Sequence, residues 1–136
     1  MKNKVALITG CNGQDGSYLM ELLLEKGYEV HGITRRTSQP LHDNIAHLLG
    51  KITLHPADMT DAGSIRRAIE KSNPDEIYNL AGMSQVRWSY DVPQMTMDVN
   101  CGGLLRIIEA VRHFNIDCKI YQACSSEMFG KSKKKI

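Results

Sequence analysis

The sequence predicts an α/β fold, a doubly wound parallel sheet with strand order 3-2-1-4-5, on three observations. Short apolar runs alternate with amphipathic helical patterns along the whole chain, which is the signature of a parallel sheet with helical crossovers. The first run ends in glycines spaced G-x-x-G-x-x-G, at Gly10, Gly13 and Gly16, directly before a helical pattern. The connections are short, so right-handed crossovers put strand 1 beside strands 2 and 4.

Each element follows in order. Lys4 to Thr9 is the first strand. Gly10 permits a tight turn off it, Gly13 lets backbone approach a pyrophosphate, and Gly16 lets the next helix sit close to the strand. That helix runs from Ser17 to Lys26, with Leu19, Leu22 and Leu23 at helical spacing, and Gly27 is a fitting residue just past its end. Glu29 to Ile33 reads as strand two, and Asn44 to Leu49 as a short helix-like stretch. Lys51 to Leu54 is strand three, ending at His55-Pro56. Asp61 caps a helix carrying Ile65, Ala68 and Ile69 on one face, and Asn73-Pro74 ends it. Glu76 to Leu80 is strand four, followed by a long loop from Ala81 to Val92. Pro93 opens a longer helix with Leu104, Ile107, Ile108 and Val111 on its apolar face. Gly102-Gly103 within it costs about 1 kcal/mol per glycine relative to alanine, so something must pack closely there. Cys118 to Ala123 is the last strand.

Composition narrows the function classes. The 136 residues form one domain, 1–136, with 42% hydrophobic and 24% charged residues, ordinary for a globular protein. A net charge of +2 favours neither nucleic acid nor a membrane surface. The basic tail Lys131-Ser-Lys-Lys-Lys135 reads as a solvated terminus. No apolar stretch reaches the roughly 20 residues of a membrane span, and the N-terminus carries no signal-peptide pattern. The four cysteines, Cys11, Cys101, Cys118 and Cys124, show no metal-ligand spacing. Reduced thiols in the cytoplasm are the simplest account, and no metal site is expected.

In a sheet of this order the chemistry lies at the carboxyl ends of the strands, at the switch point between strands 1 and 4. A dinucleotide there would have its pyrophosphate on the N-terminus of the first helix. An NAD site would carry an acid at the end of strand two. The stretch instead reads Gly32-Ile-Thr-Arg-Arg-Thr-Ser38, and the Arg35–Arg36 forks match a 2′-phosphate, so the expected cofactor is NADP. Asp58 and Met59, at the end of strand three, would meet an adenine, although Asp58 reads equally as a loop or cap residue.

Four stretches go further: T-G-x-x-G-Q-D-G-S-Y-L, E-K-G-Y-E-V-H-G-I-x-R-R, E-I-Y-N-L and Y-Q-A-x-S-S-E-x-x-G. Together they resemble the N-terminal part of the GDP-mannose 4,6-dehydratase family, in the extended short-chain dehydrogenase/reductase superfamily with its Rossmann-type fold. The resemblance covers essentially the whole chain. It implies a reaction with tightly held NADP in which the sugar C4 hydroxyl is oxidised by hydride transfer, water leaves across C5–C6, and the hydride returns to C6. Carried over by position, Gly10, Asn12, Gly13, Gln14, Asp15 and Gly16 would hold the pyrophosphate, and Arg35 and Arg36 the 2′-phosphate. Asp58 and Met59 would meet the adenine. Leu80, Ala81, Met83 and Ser84 would line the ribose and nicotinamide side. The resemblance puts the hydrogen-bonding hydroxyl on Ser125 and the C5 base on Glu127, roles a hydroxyl and a carboxylate can fill. It also implies GDP-mannose as substrate and a dimer or tetramer.

The chain departs from the family as well. The family's Y-x-x-x-K base pair should fall about two dozen residues past Ser125, and no Y-x-x-x-K occurs in this sequence. Ala81-Gly82 stands where the family often has Gly-Ala, and Met95 where it tends to have tyrosine. The expectation is therefore a cofactor-binding part of a dehydratase that is inactive alone. A non-catalytic NADP-binding module and a fragment of a related NAD(P)-dependent sugar epimerase or reductase stay open beside it.

Overall fold

The computed structural model describes residues 3–35 and 43–131, and for Asp43, Ser126 and Glu127 the backbone only. Five parallel strands, β1 (Val5–Thr9), β2 (Glu29–Thr34), β3 (Thr53–Pro56), β4 (Glu76–Asn79) and β5 (Lys119–Gln122), lie in the order β3-β2-β1-β4-β5. This is the expected order, with its switch point between β1 and β4. On one face, α2 (Ala62–Ser72) and the helix ending in α5 (Gly103–Phe114) cover a core of Leu7, Ile33, Ile65, Ile69, Ile77 and Ile107. On the other face, α1 (Gln14–Glu25) and a 3-10 turn (Asp43–Leu48) cover Ala6, Ile8, Met20, Leu23, Val30 and Ile45. β1 is buried on both faces, as a central parallel strand should be.

The helix ends follow their chemistry. Gly27 takes φ +78°, while the Gly27 and Tyr28 N–H groups donate to the Leu24 and Leu23 carbonyls. That is a Schellman closure, which a Cβ would strain. Asp61 accepts from the Gly63 N–H as N-cap of α2, and Asn73 closes that helix in the left-handed region. No helix among the described residues is long and apolar enough to cross a membrane.

Four expectations need correction. α1 starts at Gln14 with Gly13 as its N-cap, so Gly16 lies inside the first turn and not before it. β3 lies two residues further on than expected; β3 is an edge strand, so Pro56 can close it without its missing N–H. The expected loop 81–92 contains α3 (Val86–Asp91), a helix with no buried residue and so no apolar period to read. The long helix after Pro93 is three pieces: α4 (Pro93–Met97), a π-helical turn (Asp98–Gly102) and α5.

β2 and β3 are also tied by buried imidazoles. His31 Nδ1 and His55 Nε2 are 2.8 Å apart, and His31 Nε2 is 3.0 Å from Glu29 Oε1. The carboxylate only accepts, so His31 donates from Nε2 and its bare Nδ1 accepts from His55. Both rings are satisfied when neutral. Burial lowers the pKa of His55, reinforced by the charges of His31 and Lys71.

Candidate functional site

The β1–α1 turn touches the exit of β4. Gly10 has φ +65°, and a Cβ there would stand 2.9 Å from the Ala81 nitrogen. The Gly13 N–H donates to the Gly10 carbonyl at 3.0 Å. A Cβ on Gly16 would collide with the Gly10 carbonyl and lie 2.7 Å from Cys11 Cα. The third glycine therefore seats α1 against the turn. Gly13 carries no side-chain cap, and Gly13, Gln14 and Asp15 are exposed. The helix thus presents first-turn N–H groups and its positive dipole end to solvent, beside the switch point. The Asn12 carbonyl accepts from Asn44 Nδ2 at 3.3 Å, which fastens the turn to the 3-10 turn.

Cys11 is fully buried, and its thiol donates to the Ile33 carbonyl at 3.2 Å. Burial pushes its pKa up to about 11, so it stays protonated and is a spacer, not a nucleophile. It occupies room that Gly32 leaves, since a Cβ on Gly32 would sit 2.7 Å from Cys11 Sγ.

A directional relay crosses the ends of three strands. Thr9 Oγ1 accepts from the Leu80 and Ala81 N–H groups at 3.1 and 3.0 Å and donates to Asn79 Oδ1 at 2.5 Å. Asn79 Nδ2 donates to Gln122 Oε1 at 2.6 Å, and Gln122 Nε2 donates to the Ala123 carbonyl at 2.6 Å. Each donation fixes the next amide's orientation. Among the described residues no buried side-chain N or O lacks a partner. The relay holds Leu80–Ala81 against the glycine turn and ties β5, leading to Ser125, to the same frame.

Beyond β4, Asn100 of the π-helical turn holds Met83. Its Oδ1 accepts the Met83 N–H at 2.8 Å, and its Nδ2 donates to the Met83 carbonyl at 3.4 Å. Ser84 is exposed next to it. An apolar cleft of about 300 Å³ beside Leu80 is lined by Asp15, Leu19, Tyr78 and Tyr121.

On the β2–β3 side, Arg35 is exposed at the exit of β2, and Arg36 lies outside the described residues. Asp58 accepts from the Thr60 N–H and hydroxyl at 2.9 and 2.7 Å. Those bonds hold its carboxyl below the usual range, helped by the charges of Arg35 and Arg106. Met59 is buried against Gly103, where a Cβ would be 2.7 Å from Met59 Cε. That contact is why α5 carries a glycine there. Ser125 is exposed, with its carbonyl accepting the Met128 N–H at 3.2 Å. Glu127 lies in the 3-10 turn Ser126–Phe129, and its side chain is outside what the structure describes.

The fold thus gathers the glycine turn, residues 80–84 and residues 123–125 at one end of the sheet. Sequence reasoning missed Thr9, Asn79, Gln122 and Asn100. One signal was available: Asn79 follows Ile77 and Tyr78 inside an apolar strand, where a polar side chain must find a partner. Among the described residues, no group of three or more His, Cys, Asp or Glu side chains could hold a metal ion.

Comparison with known proteins agrees with this fold. The family model described as GDP-mannose 4,6 dehydratase matches residues 7–136. GDP-mannose 4,6 dehydratase 1 of Arabidopsis thaliana is 50% identical over 93% of this chain and 38% of its own length. The Homo sapiens GDP-mannose 4,6 dehydratase is 47% identical over 93% of this chain and 37% of its own. The chain therefore spans well under half the length of these relatives. Among solved structures, a UDP-glucose 4-epimerase from Bifidobacterium longum in complex with NAD+ and UDP superposes with a TM-score of 0.84, at 25% identity over 96% of this chain and 40% of that one.

Proposed function

This chain belongs to the GDP-mannose 4,6-dehydratase family, and on that premise we propose that residues 1–136 are the NADP-holding part of an enzyme that converts GDP-mannose to GDP-4-keto-6-deoxymannose. The observation that carries the reading is the glycine cradle: Gly10 and Gly16 are hemmed in by backbone, and the exposed Gly13–Asp15 turn opens beside the switch point. A helix N-terminus with exposed first-turn N–H groups is the kind of place that takes a dinucleotide's pyrophosphate. Gly10, Asn12, Gly13, Gln14, Asp15 and Gly16 would hold the pyrophosphate. Arg35 and Arg36 would take the 2′-phosphate, Asp58 and Met59 the adenine side, and Leu80, Ala81, Met83 and Ser84 the nicotinamide side. When bound, the cofactor supplies a reversible hydride acceptor. For this chain's own residues, the Ser125 hydroxyl hydrogen-bonds the sugar C4 oxygen, and the Glu127 carboxylate takes the C5 proton.

The sequence has no Y-x-x-x-K. The reading therefore includes a second chain or further residues that supply the base for the C4 hydroxyl, and an oligomer of the dehydratase type. A cytoplasmic setting is supported by the four free cysteines. The test is calorimetric titration with NADP and NAD. The reading expects NADP to bind roughly ten-fold to a hundred-fold more tightly, since charge-assisted bonds to a phosphate are worth about 1.5–3 kcal/mol. Equal affinities would remove the 2′-phosphate assignment, and no binding of either would remove the cofactor assignment.

A further inference from the structure

The glycine pair in the long helix sits where an arginine passes through it. Arg106 Nη1 donates to the Met59 carbonyl at 2.9 Å and to the Asp98 carbonyl at 3.1 Å, and Nη2 donates to Asp98 Oδ1 at 2.6 Å. The Asp98 carbonyl also accepts the Gly103 N–H, the bond that closes the π-helical turn. A Cβ on Gly102 would lie 2.8 Å from both Arg106 Nη1 and Asp98 Oδ1. A Cβ on Gly103 would press on Met59. The two glycines therefore clear a path: one for the guanidinium fork, the other for the Met59 side chain beneath it. π-turns inserted in α-helices recur at functional sites. This one aims three donors of a single arginine at its own wall and at the loop that follows β3.

The structure assigns Arg106 as a positioning residue: from α5 it braces the Asp58–Met59 turn through the Met59 carbonyl and so fixes the adenine side of the cofactor groove. The assignment rests on the NADP reading above but concerns a residue that meets no cofactor. Its logic is local. Asp58 and Asp61 close a turn in which the Asp61 N–H donates to the Asp58 carbonyl at 3.0 Å and the Thr60 N–H to the Asp58 carboxylate at 2.9 Å. Its placement rests on the Ala57 N–H bond to Thr34, the Ile65 N–H bond to the Asp61 carbonyl, the Ser64 hydroxyl at the Asp58 N–H, the buried Met59 side chain and the Arg106 fork. Of these the fork starts on α5 and is held by Asp98, so it links the turn to the π-helical turn, the segment that also holds Met83 through Asn100.

The test uses the chain as it stands, with hydrogen exchange at the Thr60 and Asp61 amides and titration with NADP and 2′,5′-ADP. In Arg106→Met, exchange at Thr60 and Asp61 rises ten-fold or more over that of the β1 amides, and both nucleotides weaken by one common factor of about ten-fold. Arg106→Lys, which keeps one donor to the carbonyl, falls between. Gly102→Ala displaces the fork with both charges retained while improving helix propensity. It weakens 2′,5′-ADP without lowering Tm, which a merely structural role for Arg106 would not do. It also carries the test if Arg106→Met fails to fold. Arg112→Met, on the exposed Arg112–Glu109 pair, changes neither readout. Unchanged exchange at Thr60 and Asp61, or unchanged 2′,5′-ADP affinity in folded Arg106→Met and in Gly102→Ala, overturns the assignment. Should the parent chain bind neither nucleotide, the cofactor reading falls, and the exchange data alone then decide whether Arg106 braces the turn.

Discussion

β1 and β5 are strands of the same sheet, separated by one neighbour, and they are built to different standards. Every residue of β1 is buried, and at its exit Thr9 and Gly10 meet the Leu80–Ala81 backbone while Gly16 meets the Gly10–Cys11 backbone. β5 alternates exposed and half-buried residues, with Tyr121 57% exposed at its centre and Met128 and Phe129 exposed beyond it. A parallel strand is ordinarily covered on both faces. The glycine turn at the exit of β1 is walled by the backbone of Cys11, Leu80 and Ala81. The stretch leading to Ser125 is tied to β4 by the Asn79–Gln122 bond and the strand ladder, and Ile120 packs on the core beneath α5.

The sharpest way to break the β1 side is Gly16→Val. Its Cβ would meet the Gly10 carbonyl and Cys11 backbone, with no flexible side chain to yield. Overpacking typically costs about 1–3 kcal/mol; backbone on backbone puts this variant at or above that range, read as a lower urea midpoint. Gly13→Val is the companion. A Cβ there lies 3.2 Å from the Gly10 carbonyl and otherwise faces open space. Its fold should survive by circular dichroism while NADP titration is lost. If both variants unfold equally, the cradle does not separate packing from binding.

Next in size is Asn79→Leu, which cuts both side-chain bonds of the relay, from Thr9 to Asn79 and from Asn79 to Gln122. It strands the buried Thr9 hydroxyl proton and the Gln122 carbonyl oxygen, at about 1–3 kcal/mol for each unsatisfied group. Tm should fall while Gly13-dependent nucleotide binding persists in the folded fraction. A neutral Asn79→Leu would mean that the relay contributes orientation without stability.

Acid probes the β2–β3 side. His55 is held below its ordinary pKa of 6.5 by burial and by the neighbouring charges of His31 and Lys71. The unfolded chain therefore binds the proton first, and stability falls as pH drops below 6.5 towards the folded pKa. The carboxyls of Asp58, Asp61 and Glu76 are also lowered, chiefly by hydrogen bonds from Thr60, Ser64 and Tyr78 respectively. Their contribution is present above the ordinary carboxylate range and is lost at still lower pH. Denaturant melts across about pH 2 to 8 should show the first loss vanish in His55→Gln and the second remain.

How far the sequence displayed this contrast depends on the residue. Strand order, the glycine turn and both α2 caps were legible, because hydrophobic period, φ-specific glycines and cap side chains are local. The Gly102–Gly103 pair announced a close contact but not its partner, since Met59 lies 44 residues earlier in the sequence. α3 was illegible because none of its residues is buried. Thr9, Asn79 and Gln122 look like ordinary polar residues in a string, and only the parallel register Thr9↔Asn79↔Gln122 brings them into line.

The smallest expected effect is the most diagnostic for β5. Tyr121 lies 6.1 Å from Tyr78, ring centre to ring centre, in a tilted pair on the α1 side of the sheet. It is more than half exposed, so Tyr121→Ala removes little buried area, and substitutions at such sites usually stay within about 0.5 kcal/mol. An aromatic pair adds about 0.5–1.5 kcal/mol when well formed, which sets the upper limit here. The measurement is the urea midpoint at two protein concentrations ten-fold apart. A small cost independent of concentration fits an open strand. A cost beyond that limit which grows with concentration means that a second copy covers Tyr121 in solution, and β5 would then be finished by assembly as β1 is finished by its own glycines.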